Sequence, residues 1–277
     1  MREELKPFAW GLKTGGPELY EQYIVPVWMA EWAQVLINAS NICQGKQVLD
    51  VACGTGIVAR KVVVLVGSKG RVAGLDTNEG MIHVAEKCAI QEGKPEIEWY
   101  HNDVCHMPFS RGEFDTVLCQ QGLQFFPDRI TALREMARVL APGGRLVVSI
   151  WSTLDRFSFL ADILDLVGRF CKSGSRDTFR VSCSSFTGRE DLRSLLRDAG
   201  FCNIHIRTEV IVARHPSLAE FLPAYLLLTP FAEDIALMTE EERTRMLAST
   251  MKVLEAYLDD DGLAIPSENN IITAELC

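Results

Sequence analysis

Asp50 stands at the end of an apolar run, Lys46–Val51, and is followed by Ala52-Cys53-Gly54-Thr55-Gly56 and a helical pattern that starts at Ile57. Glycines in that place let the backbone turn tightly and let a ligand come close. The free N–H groups of the first helical turn can receive an anionic group. Gly54-x-Gly56-x-x-Ala59 also satisfies a dinucleotide fingerprint, and Asp76 lies twenty residues beyond Gly56, at the end of a second apolar run. An acid there binds ribose hydroxyls. The glycines and Asp76 together indicate a cofactor that contains adenosine, without choosing among such cofactors.

Asp50 narrows the choice. A carboxylate beside the loop repels a pyrophosphate but suits a cationic amino-acid ligand, directly or through water. S-adenosylmethionine carries a sulfonium and an ammonium, with one carboxylate to meet the helix N–H groups. A second role for Asp50 is to cap the helix that follows. Two other functions remain open at this point: a nicotinamide-dependent oxidoreductase built on the same glycine loop, and a non-catalytic module that binds S-adenosylmethionine.

The elements that must position these residues alternate between strand and helix. Strand patterns fall at Lys46–Val51, Arg71–Asp76, Glu96–Tyr100, Phe114–Cys119, Arg145–Trp151, Asn203–Ala213 and Asn270–Ala274. Helical patterns fall at Ile57–Val66, Met81–Gln91 and Arg129–Leu140, the last stopped by Ala141-Pro142-Gly143-Gly144. Apolar strands alternating with helices predict an α/β fold, a doubly wound, mostly parallel seven-stranded Rossmann-like sheet. Amphipathic helices over Phe157–Cys171 and from Pro216 to about Leu258, with breaks expected at Pro223 and Pro230, interrupt the alternation and suggest a helical cap. The chain therefore divides into an N-terminal helical segment over the cofactor site (1–44), a cofactor-binding core (45–152), a first cap insertion (153–185), the end of the core sheet (186–216), a second cap insertion (217–262) and a last strand (263–277).

Composition narrows the function classes further. The 277 residues carry 28 Lys and Arg against 37 Asp and Glu, a formal charge of −9. Such a protein repels phosphate backbones, so nucleic acid is not expected as a partner. No apolar run approaches the roughly 18 residues of a membrane span, and no secretory core is evident at the N-terminus. The nine cysteines form no CxxC pair, which indicates a reducing, cytoplasmic compartment and mostly buried thiols, with no metal site. A homodimer is compatible with everything in the sequence.

Five segments in order carry a family resemblance: VLDVACGTG, GLDTNEGMIHVA, HNDVCHMPF, FDTVLCQQGLQFFPDR and LREMARVLAPGGRLVVSIW, spanning about residues 45–151. They resemble the class I S-adenosylmethionine-dependent methyltransferases. The part with Gln120-Gln121 and Phe125-Phe126-Pro127-Asp128 is similar to the small-molecule (methyltransferase type 11, UbiE-like) branch. Ala52 departs from the pattern, where many members have Gly, and its small side chain is expected not to trouble the loop.

The resemblance implies that Asp50 and the backbone of Ala52, Cys53, Gly54, Thr55 and Gly56 hold the methionine part of the cofactor. Asp76, followed by Thr77, would take the ribose. Met81 would pack on the adenine face, while Asn102, Asp103 and Val104 meet its edge, Asp103 at the amino group. The Gln120 carbonyl would meet the ammonium. The implied reaction is in-line methyl transfer to an O, N or C atom of a small, apolar or aromatic molecule. Such a reaction obliges no residue to act as a base, so the motifs identify no catalytic residue. Tyr20 and Tyr23, together with Gln121, Gln124 and Trp151 after the fourth and fifth strands, are candidates for contact with the methyl acceptor.

Overall fold

The computed structural model describes residues 16–171 and 188–277, together with 174, 176, 177 and 180. Residues 1–15, most of 172–185 and residues 186–187, which fall in the expected 1–44, 153–185 and 186–216 segments, lie outside the described residues. The strands are β1 Gln47–Val51, β2 Arg71–Asp76, β3 Glu98–His101, β4 Phe114–Gln120, β5 Leu140–Trp151, β6 Phe201–His215, β7 Leu258–Asp259 and β8 Gly262–Leu276. Their order in the sheet is β3-β2-β1-β4-β5-β8-β6. The pairs from β3 through β5 are parallel, and β8 runs antiparallel to β5. The seven expected strands are all present. The eighth, β7, is a two-residue strand that pairs only with β8.

By chain contacts the molecule divides into two units. The larger comprises Met29–Trp151, Phe186–Glu209 and Asn269–Cys277 and holds the parallel sheet. Side chains alternate between its faces. Leu49, Val51, Val117, Cys119, Leu146, Val148, Ile150, Ile272 and Ala274 face one way and form a core with the helices Arg129–Val139 and Arg189–Asp198. The intervening residues, Val48, Asp50, Leu118, Gln120, Val147 and Ser149, face the other way, toward the helices Ala30–Ser40 and Ile57–Val66. The strand order reverses between β1 and β4, so a crevice opens at their carboxyl ends, where parallel sheets bind ligands.

The smaller unit comprises residues 1–28, 152–185 and 210–268. It contains the helices Ser158–Gly168, Leu218–Leu227, Ala232–Ala236 and Glu240–Leu254. An aromatic cluster fills its core: Trp28 lies 5.2 Å from Phe221, 5.5 Å from Tyr225 and 6.3 Å from Phe159. Ser217 caps Leu218–Leu227, and Thr239 with Glu242 forms a capping box on Glu240–Leu254. Pro230 separates two helices, as expected, but Pro223 lies inside Leu218–Leu227. Its missing hydrogen bond is outweighed by the packing of Phe221, Leu222 and Tyr225, all buried on either side of it. A further cavity of about 540 Å³ in this unit, lined by Pro216–Ala219, Met251 and Leu258–Asp261 among others, holds none of the expected site residues.

Two other readings need correction. β8 runs for 15 residues, far past the apolar Asn270–Ala274 stretch, because Pro266, Ser267, Glu268 and Asn269 hide the strand signal in the sequence. Among the eight described cysteines only Cys53 and Cys119 are buried; Cys43 and Cys277 are exposed and the others are half-buried.

The glycine loop is also a packing site. Gly56 has φ +83°, a left-handed conformation that glycine adopts without strain, and a Cβ there would stand 2.3 Å from the Trp99 indole. A Cβ on Gly74 would stand 2.5 Å from the same ring. Trp99, on the edge strand β3, thus packs against both glycines. Gly74→Ala is expected to destabilise the protein by roughly 1–3 kcal/mol through overpacking, measured by chemical denaturation. On a Trp99→Leu background the same change should cost much less, since the two residues are in contact.

Candidate functional site

The chain leaves β1 at Asp50-Val51 and turns through Ala52–Gly56 into the helix Ile57–Val66. Gly56 occupies the N-cap position and has no side chain to offer. Asp50 takes over that task from within the strand: its Oδ2 accepts from the Ala59 N–H at 3.1 Å. Capping therefore uses one oxygen of the carboxylate and leaves the other. Oδ1 is buried and has no partner among the described residues. Burial, with a smaller contribution from Asp76, pushes the Asp50 carboxyl up to about 8, opposed by the Ala59 hydrogen bond. The unpartnered oxygen and the raised pKa both have the same remedy, a cation.

Asp76 anchors the other side of the loop. Its Oδ2 accepts from the Gly54 N–H and its Oδ1 from the Asn78 N–H, both at 2.9 Å. Burial raises its pKa, and those backbone bonds oppose the rise. Each oxygen keeps a lone pair for a hydroxyl donor. The ends of β2 and β3 are tied beside it: Asn102 N–H donates to the Asp76 carbonyl at 3.0 Å, and the His101 ring meets the Thr77 carbonyl at 3.1 Å.

Met81 is buried in the first turn of Glu79–Gln91, a helix capped by Asn78. Asp103 is exposed and accepts from the Cys105 N–H at 2.9 Å, while Val104 is buried. Thr55 is buried with its hydroxyl unpartnered among the described residues. Ala52 corrects an expectation: its backbone is left-handed, with φ 55°, so conformation rather than size is what the residue costs the loop, about 1–2 kcal/mol.

At the carboxyl end of β4 the Gln120 amide donates to the Met29 carbonyl at 2.9 Å, and its Oε1 has no partner among the described residues. Gln121 has φ 54° and its N–H donates to the Ser149 carbonyl at 2.9 Å, yet neither polar atom of its buried side chain has a partner among the described residues. Gln124 Oε1 accepts from the Trp151 N–H, and Trp151 packs edge-on against Phe125 at 5.6 Å. All the cofactor-motif residues, with Gln121, Gln124 and Trp151, thus fall in the larger unit, at the carboxyl edge of its sheet. Tyr20 is half-buried and belongs to the smaller unit, as does Tyr23.

Sequence reasoning missed four residues: Trp99, the carbonyl of Met29, Ser149 and Asn269. Ser149 and Asn269 are fully buried and their side chains are unpartnered among the described residues. The available signal was a polar residue in an otherwise apolar strand.

Burial also decides which groups are inert. It holds the Cys119 thiol up at about 12 and the Cys53 thiol well above its ordinary value, so neither supplies a thiolate at neutral pH. His83, His101, His106 and His205 are exposed.

The sign of the Asp50 shift makes a test. A carboxyl raised from 3.8 to about 8 stabilises the ligand-free fold below pH 4, and that contribution is lost as pH rises through 8. A bound cation favours the ionised form. Affinity for S-adenosylhomocysteine, which keeps the ammonium, should therefore rise from pH 6 to 8 and then level off in calorimetry. Asp50→Asn should bind more weakly and without that rise.

The orphaned Asp50 oxygen, the unpartnered Thr55 hydroxyl and the spare lone pairs of Asp76 suit a cationic adenosine cofactor. Residues 27–218 match the ubiE/COQ5 methyltransferase family. A demethylmenaquinone methyltransferase of Geobacillus kaustophilus (strain HTA426) is 31% identical over 186 residues, covering 64% of this chain and 80% of that one. One from Staphylococcus aureus (strain JH9) is 33% identical over 187 residues, covering 64% of this chain and 76% of that one. Among solved structures, a phosphoethanolamine N-methyltransferase 2 of Haemonchus contortus, in complex with phosphomonomethylethanolamine and S-adenosylhomocysteine, shares the fold. Its TM-score is 0.58 at 18% identity, over 94% of this chain and 56% of that one. Fold, loop chemistry and relatives agree: this chain belongs to the ubiE/COQ5 methyltransferase family and transfers a methyl group from S-adenosylmethionine to a small molecule.

Proposed function

We propose that the acceptor is the ring carbon of a reduced, prenylated naphthoquinone, as the names of the demethylmenaquinone methyltransferases to which the chain is similar suggest. The observation that carries the cofactor half of this reading is the buried, unpartnered Asp50 oxygen beside the glycine loop. Asp50 faces the ammonium, and the N–H groups from Ala52 to Gly56 receive the carboxylate. Asp76, with Thr77 next to it, accepts from the ribose hydroxyls. Met81 covers the adenine face, where a thioether suits a flat ring. Asn102, Asp103 and Val104 border its edge, and the Gln120 carbonyl meets the ammonium. Gln121, Gln124 and Trp151 border the acceptor.

When bound, the sulfonium supplies an electrophilic methyl group. The nucleophilic carbon forms a bond to it, sulfur keeps the electron pair, and the acceptor loses a proton. A reduced quinone ring is electron-rich and carries acidic hydroxyls, so its own oxygens can supply much of the push. That fits a site whose polar groups at the carboxyl ends of β4 and β5 are amides and a hydroxyl. The protein then contributes alignment and exclusion of water, effects worth up to roughly 7–11 kcal/mol in the best model reactions.

The charge of −9 opposes nucleic acid as an acceptor, and no described helix is long and apolar enough to cross a membrane. We place the enzyme in the cytoplasm, and gel filtration tests whether it forms a homodimer.

Under anaerobic conditions the protein should move the labelled methyl of S-adenosylmethionine to the ring carbon of a short-chain 2-prenyl-1,4-naphthoquinol. Methyl transfer to an amine but not to the quinol would overturn this reading. Asp76→Ala should weaken S-adenosylhomocysteine binding by about tenfold or more, equivalent to at least about 1.4 kcal/mol, in a variant that remains folded.

A further inference from the structure

Three neighbouring strands place polar side chains in a row on one face of the sheet. Gln120 of β4 is in register with Ser149 of β5. Asn269 of β8 stands opposite Trp151, and Ser149 stands opposite Ile271, so Ser149 and Asn269 are diagonal neighbours on the same face. In antiparallel strands such neighbours lie about 7–8 Å apart. The relative exposures of Gln120, Ser149 and Asn269 are 9%, 0% and 0%. Gln120 Oε1, Ser149 Oγ and both amide atoms of Asn269 have no partner among the described residues.

Deeper in the sheet the same face carries Val48, Leu118 and Val147, and Ile271 sits beside Asn269. The row stands at the carboxyl ends of β4 and β5, the edge at which such sheets bind ligands. Buried amides and hydroxyls without partners are costly and rare, and a fold keeps them where something else completes them.

We propose that Ser149 and Asn269 grip an oxygen of the methyl acceptor, with Gln120 Oε1 beside them. The row offers donors at Asn269 Nδ2 and the Ser149 hydroxyl, and acceptors at Asn269 Oδ1, Ser149 Oγ and Gln120 Oε1. A phenolic or enolic C–O(H) group can use both kinds. None of the three side chains titrates near neutral pH, so the row holds and orients the oxygen and removes no proton. A neutral site that pairs with an oxygen discriminates sharply against a ring that lacks one, because its own buried groups would stay unpaired. This assignment rests on the reading above that the acceptor is an oxygen-bearing ring.

The test uses full-length protein saturated with S-adenosylhomocysteine and compares 1-naphthol with naphthalene by calorimetry. Wild type should bind 1-naphthol at least tenfold more tightly. Asn269→Leu should bring the two rings within twofold of each other while leaving S-adenosylhomocysteine affinity unchanged. Since that change removes an unpartnered amide, the ligand-free variant should melt no earlier than wild type. A structural role for Asn269 would lower its melting temperature instead. Should Asn269→Leu fail to fold, Ser149→Ala serves as the second variant and should cut the preference severalfold.

Three outcomes would overturn the proposal. One is a naphthol preference retained in both variants. Another is a tenfold loss of S-adenosylhomocysteine affinity, which would assign the row to the cofactor's amino-acid end. The third is a wild type that binds neither ring, which would remove the aromatic-acceptor reading as well. Loss of the preference as expected, in a protein that never methylates the prenylated quinol, would sustain the grip and overturn only the acceptor named above.

Discussion

A carboxylate shut away from water with one oxygen satisfied and the other empty is the constraint around which this site is organised. The Ala59 N–H needs Asp50 because Gly56 cannot cap its own helix. Gly56 is needed in turn because the backbone is left-handed there and Trp99 covers it. The loop geometry that opens space for a cofactor therefore leaves the helix start uncapped, and the strand supplies the cap from below. Satisfying the helix uses only half of the carboxylate. The remaining half sits in a place where ionisation is unfavourable until a positive charge arrives. On the proposed role of Asp50, cofactor binding and local stability are linked through a single side chain.

The two aspartates divide the work by environment. Asp76 has both oxygens on backbone N–H groups, so it fixes the loop at Gly54 and the start of the next helix at Asn78. Asp50 holds a helix by one oxygen and keeps the other in reserve. Strain accompanies this arrangement: Ala52 and Gln121, the residues that leave β1 and β4, both have positive φ without being glycine. Such positions persist where the surroundings enforce them, commonly at functional sites. Gly122 is part of that enforcement, since a Cβ there would stand 2.7 Å from the Ala52 Cβ.

The carboxyl edge of the sheet thus has two chemical halves. Around β1 and β2 the groups are acids and loop N–H groups, suited to a ligand that carries charges of both signs. Around β4, β5 and β8 the buried polar groups are amides and a hydroxyl. Methyl transfer from a sulfonium needs such a division. The charged partner must be held by charge, whereas the nucleophile must keep its electrons available and be aimed rather than neutralised. The same fold holds phosphomonomethylethanolamine in the complex of the Haemonchus contortus enzyme. The fold therefore cannot choose the acceptor, and on the proposal above the residues of the second half do.

The first half was legible in the sequence, because its signals are local. Strand, glycine loop and helix follow one another within twenty residues, and Asp50 and Asp76 stand at or next to the end of an apolar strand. The capping and the ligand roles of Asp50 could be weighed from its position alone; that capping leaves one oxygen over could not. The second half was hidden because it is assembled from strands far apart in the chain. Ser149 reads as an ordinary member of a strand, and Asn269 lies before the apolar stretch that marked the last strand. Only the antiparallel pairing of β8 with β5 puts them on one face, since a shift of one residue would turn Asn269 to the other side. Trp99 escaped notice for the same reason: its neighbours Gly56 and Gly74 are distant in sequence, and only the packed sheet lays the indole across them. Chemistry carried by consecutive residues was determined by the sequence, whereas chemistry carried by register and burial was decided by the tertiary fold.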